Sequence, residues 1–104
     1  MNQPEHDERS LALHRMLCDR LRADPGLLER ARSTLTRWAV TDGARFDRRW
    51  EALLASDDLG PILTAATDPS EAGDALRQSS PLVCLLEPRE RWRWLKAWRE
   101  SRGA

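Results

Sequence analysis

His14 and Cys18 are the side chains in this sequence best suited to chemistry, and they stand four residues apart. On a helix that spacing puts both on one face. An imidazole and a thiol so placed are either two metal ligands or a base beside a nucleophile. The rest of the chain completes neither arrangement. A structural zinc site takes four ligands, and the only other candidates of these types are His6, near the start, and Cys84, far along the chain. Cys18 also falls on a leucine-rich stripe, where a thiol is ordinarily inert packing. Asp57-Asp58 is a carboxylate pair, but it reads as a helix start. No glycine-rich phosphate loop and no G-x-S-x-G occurs. The expectation is a protein that is not an enzyme, with no catalytic residue, no metal and no cofactor.

Chemistry of recognition is better represented. Residues 76–92, LRQSSPLVCLLEPRERW, set a helix-breaking S-S-P corner, an apolar run and a charged, Trp-bearing segment side by side. Three tryptophans, Trp92, Trp94 and Trp98, then share one segment with Arg91, Arg93 and Arg99. Tryptophan and arginine are the residues most favoured at binding hot spots. We therefore nominate Arg77, Gln78, Ser79 and Ser80 as structural residues first and contacts second, and Arg91, Trp92 and Arg99 as partner contacts. Interleaved aromatic and Arg side chains also suit stacked bases and phosphates. The zero formal net charge argues against a protein that binds nucleic acid by bulk charge.

The elements that must position these residues are helical. Leu13, Leu17 and Leu21 recur every fourth residue and predict a helix over about 9–23. Residues 1–8 are polar and are expected to be a flexible tail, leaving a single domain over 9–102. Asp24-Pro25 predicts the cap and first position of a second helix over about 25–40, with Leu28, Ala31, Leu35 and Trp38 on one stripe. A third is expected over about 44–56 and a short fourth after Asp58. Asp68-Pro69-Ser70-Glu71 predicts the start of a fifth, with Asp68 as cap, that runs to about Gln78. Pro81 forces Ser80 out of helical geometry, and Ser79 and Ser80 can cap the next turn. The run Leu82–Leu86 is too apolar for an exposed loop and too short for a long helix, so it reads as one or two turns plugged into the core. A last helix is expected over about 88–101. It should bury two of its tryptophans and join the second and third helices in a Trp-rich core. No stretch alternates with period two. The expected fold is all-α, a compact bundle of five to seven short helices.

Charge is unevenly spread. Residues 57–74 hold Asp57, Asp58, Asp68, Glu71 and Asp74 without a basic residue, whereas 87–102 are mainly basic. Such segments either pair within the molecule or present two faces to a partner. Of the seventeen basic residues only Lys96 is lysine. No secretory h-region and no membrane-length apolar run is present, so a cytoplasmic protein with reduced thiols and no membrane contact is expected.

Several stretches together resemble small bacterial all-helical proteins of toxin–antitoxin-type gene pairs. These are Leu13-His14-Arg15, Leu21-Arg22-Ala23-Asp24-Pro25, Trp38, Trp50-Glu51-Ala52-Leu53-Leu54, Asp68-Pro69-Ser70-Glu71, Leu76-Arg77-Gln78-Ser79-Ser80-Pro81 and Pro88-Arg89-Glu90-Arg91-Trp92. In longer relatives this region comes after a helix-turn-helix domain. The residues before Leu13 hold no counterpart of that domain, so DNA binding is not implied. Cys84 stands where the family has a small glycine. The resemblance implies an antitoxin-like, non-catalytic module that binds and neutralises or regulates a toxin encoded beside it. The alternatives are a nucleic-acid binder using 88–102 and a homodimer pairing through 82–86 or the last helix.

Overall fold

The computed structural model describes residues 4–103, which contain six α-helices, one 3-10 turn and no strand. The helices are α1 (Pro4–Ala23), α2 (Leu27–Thr41), α3 (Arg48–Leu54), α4 (Leu59–Ala66), α5 (Glu71–Gln78) and α6 (Pro88–Gly103), with the 3-10 turn at Pro81–Leu85 between α5 and α6. The all-α bundle is thus as the periodicity predicts.

The N-terminus departs from expectation. Helix α1 begins at Pro4, so residues 4–8 are helical where a tail was expected; residues 1–3 of that expected tail lie outside the described residues. Proline suits a first helical position, and the acidic residues after it favour the positive end of the helix dipole. Elsewhere the caps slide by a residue or two. Asp24 Oδ1 accepts from the Gly26 N–H, and Gly26, not Asp24, precedes α2. Asp68 accepts from the Ser70 N–H, while Ser70 itself caps α5 at the Gly73 N–H. Asp58 caps α4 as expected, and Asp47 caps α3.

The core joins Leu13, Leu17 and Leu21 of α1, Leu28, Leu35 and Trp38 of α2, Trp50 and Leu54 of α3 and Ile62 of α4. The apolar run does plug it: Leu82, Leu85 and Leu86 are buried, Ser80 Oγ accepts from the Leu82 N–H, and the turn packs chiefly against α2. Trp50 is fully enclosed, and its indole N–H is satisfied by the Leu76 carbonyl at 2.8 Å. Arg77, at the end of α5, is 3% exposed. Its guanidinium donates to the carbonyls of Ala66 (3.2 Å) and Asp68 (2.6 Å) and pairs with Asp74, tying the end of α4 to the start of α5.

Helix α6 corrects the expectation of a Trp-rich core shared by three helices. The core tryptophans are Trp38 and Trp50; none of residues 88–102 is buried. Trp94 and Trp98 stack on each other on the helix surface, centroids 6.3 Å apart, and are only half-buried. Lys96 and Arg102 lie over the rings of Trp92 and Trp98. These cations cover aromatic surface that would otherwise require a core.

Candidate functional site

Two ion pairs hold α6 to α1. Arg102 meets Glu8 at 2.7 Å and Arg20 meets Glu90 at 2.9 Å. Glu8 precedes Arg20 on α1, while Glu90 precedes Arg102 on α6, so the helices run antiparallel. The pairs are about twelve residues apart on each helix, roughly 18 Å at the helical rise. All four side chains are partly exposed, so solvent screens each pair and its contribution is small. The backbone of α6 lies apart from the closely packed pairs of elements. What separates it from α1 is a cleft of about 410 Å³.

The cleft is walled by arginine. Helix α1 contributes His6, Arg9, Ser10 and Leu13; α6 contributes Arg91, Trp94, Leu95 and Arg99. Arg77, Gln78, Ser80 and Val83 border it from the end of α5 and the 3-10 turn, and Arg45 reaches it from the loop between α2 and α3. Among the described residues no carboxylate lines it. Arg45 is steadied by the Trp38 ring, 4.2 Å beneath its guanidinium carbon, and Arg9 donates to His6 Nδ1 at 2.8 Å. Among the described residues Arg45, Arg91 and Arg99 belong to no ion pair. The acidic middle of the chain does not supply one: Asp57 pairs with Arg32, Asp74 with Arg77, and Asp68 accepts a backbone N–H.

Of the seven nominated contact residues, five border this cleft: Arg77, Gln78, Ser80, Arg91 and Arg99. The other two do not. Ser79 turns its hydroxyl to Asp47 Oδ2 at 2.7 Å, bracing the N-cap of α3. Trp92 is 62% exposed and borders a shallower apolar hollow with Val83, Cys84, Leu86 and Pro88; Val83, Arg91 and Leu95 border both spaces. Arg77 is a buried pin whose Nε has no partner. Sequence reasoning missed His6, Arg9 and Arg45. His6, Arg9 and Leu13 do stand at helical spacing, a signal hidden once the first residues are taken for a tail. Arg45 sits in a turn, and nothing local marks it.

His14 and Cys18 do not make a reactive pair. Both are 1% exposed. His14 Nδ1 donates to the Ser10 carbonyl at 2.8 Å, leaving Nε2 as an unpartnered acceptor. Burial lowers its pKa to about 4, against the Ser10 bond and helped by the nearby Arg77 charge. Burial likewise pushes the Cys18 thiol up, away from the thiolate a nucleophile or metal ligand needs. Among the described residues no three His, Cys, Asp or Glu side chains cluster as metal ligands would. Nor is any helix long and apolar enough to cross a membrane.

Comparison of the chain with protein-family models, curated proteins and solved structures returns no match.

Proposed function

We propose that this chain is a non-catalytic, antitoxin-like protein-binding module whose docking site is the cleft between α1 and α6. One observation carries the reading: four arginines with no ion pair among the described residues, Arg9, Arg45, Arg91 and Arg99, border a half-apolar cleft that no carboxylate among the described residues lines. A cleft that mixes apolar side chains with a few oriented charged groups is the usual build of a binding site. Binding would occlude the partner's working surface, with Trp94 and Leu95 as apolar contacts and the arginines fixing orientation. In the antitoxin-like reading that partner is a toxin encoded beside this chain, as the resemblance of the stretches from Leu13 to Trp92 implies.

The test is affinity capture from lysate of the source cell with the wild-type chain and with Arg91→Glu/Arg99→Glu. Both side chains are exposed, so the variant should keep its helical circular dichroism. The expected result is one stoichiometric partner on the wild type and none on the variant. Equal capture by both contradicts the assignment of the cleft.

A further inference from the structure

We infer that the occupant of the α1–α6 cleft is an acidic peptide segment, carboxylates outermost and an apolar side chain at its centre. This rests on the reading of the cleft as a partner-docking site and adds the chemistry of what enters it.

The layout of charge carries the inference. Arg91 and Arg99 stand eight residues apart on α6, about 12 Å along the helix, with Trp94 and Leu95 between them. On the opposite wall Arg9 lies toward the Arg99 end, because the next residue back, Glu8, pairs with Arg102. Leu13 lies one helical turn further in. Arg9, Arg91 and Arg99 thus flank an apolar stretch of Leu13, Trp94 and Leu95, with Arg45 and Arg77 also bordering the cleft. Arginines anchored over that length match carboxylates spaced along a chain, each able to take a bidentate pair. Arg45, held on Trp38, loses little freedom in making such a contact.

A nucleic-acid strand fits the same residues less well. Such a strand needs a positive track that continues beyond the groove. Here Glu8 and Glu90 lie toward the two ends of the α1–α6 pairing, beyond the residues that line the cleft, each engaged by a single arginine. The positive field is therefore local. A short acidic segment is satisfied within it, whereas a phosphodiester chain would run onto the carboxylates.

The experiment is fluorescence anisotropy at low salt with a short fluorescein-labelled peptide of alternating Glu and Leu. Its Gln/Leu counterpart and an oligothymidylate serve as competitors. The Glu peptide should bind, and the Gln peptide and the oligonucleotide should not displace it. Arg91→Gln/Arg99→Gln should weaken binding by roughly tenfold or more, as two charge-assisted contacts are lost. Arg89→Gln/Arg93→Gln removes the same charge from the same helix outside the cleft and should change affinity less than about threefold. Absence of peptide binding, equal binding of the Gln peptide, displacement by the oligonucleotide, or equal loss in both double variants overturns the inference. The two levels fail separately. If the partner captured from lysate is lost on Arg91→Glu/Arg99→Glu but the Glu peptide neither binds nor displaces it, the docking site stands and its acidic occupant does not. If capture survives that substitution, the docking site itself is wrong.

Discussion

Acidification should destabilise this protein through His14 before its carboxylates are protonated. The imidazole is enclosed, donates Nδ1–H to the Ser10 carbonyl and lies near the Arg77 charge, so the native state resists the second proton. Its pKa falls from 6.5 to about 4. The unfolded chain, with an ordinary histidine, binds that proton through the whole interval. The stability at stake is fully present above the unfolded value and is lost progressively as pH falls toward the folded one. Below that it changes no further on this account. The full shift corresponds to about 3 kcal/mol, of which about 2 kcal/mol is lost between about pH 7 and about pH 5. That is a large share of the roughly 5–15 kcal/mol typical of a domain. Urea unfolding followed by tryptophan fluorescence measures it, since Trp38 and Trp50 are buried and report the core. His14→Gln removes the titrating group and serves as the reference. Its stability should be nearly flat over the same interval, while the wild type falls. Parallel curves for the two proteins would refute the reasoning, because the loss would then belong to other groups.

Arg77→Met should cost about 3–5 kcal/mol, since it leaves two interior carbonyls and Asp74 without their donor. A urea midpoint corresponding to a loss below about 1 kcal/mol would contradict its role as a pin. Two glycines should respond differently to alanine. A Cβ on Gly73 would lie 1.9 Å from the Asp68 carbonyl oxygen, so Gly73→Ala should lower stability by roughly 1–3 kcal/mol despite the better helix former. At Gly43 a Cβ meets nothing within 4 Å, and thermal unfolding of Gly43→Ala should show no loss. Of the two free thiols, half-buried Cys84 should react first with a disulfide reagent, and buried Cys18 only on unfolding.

The parts of the fold legible in the sequence are those fixed by local chemistry. Leucine spacing marks α1, acidic and proline residues mark where helices begin, and Ser80-Pro81 marks the break before the buried 3-10 turn. Cap positions slid because each Asp-Pro pair opens a turn that precedes the helix, not the helix itself. The placement of α6 was not legible. Three tryptophans within one helix suggest burial, but stacking of Trp94 on Trp98 and cover from Lys96 and Arg102 let them stay at the surface. The S-S-P corner and the last helix both carry residues nominated for recognition, and the fold brings most of those residues to one cleft. The opposite wall could not be foreseen, because the approach of Arg9 and Arg45 depends on the antiparallel crossing of α1 and α6 and on the loop before α3. That crossing is marked by Glu8–Arg102 and Arg20–Glu90, pairs between distant parts of the chain that leave no local pattern.

Hydrogen exchange of the protein alone and with the partner captured from its own lysate tests the central claim most directly. If the α1–α6 cleft is the docking site, protection should rise together in the segments 6–13, 77–83 and 91–99, all of which border it. Protection confined to α3 and α4, or to the hollow around Trp92 and Cys84 without α1, would contradict it.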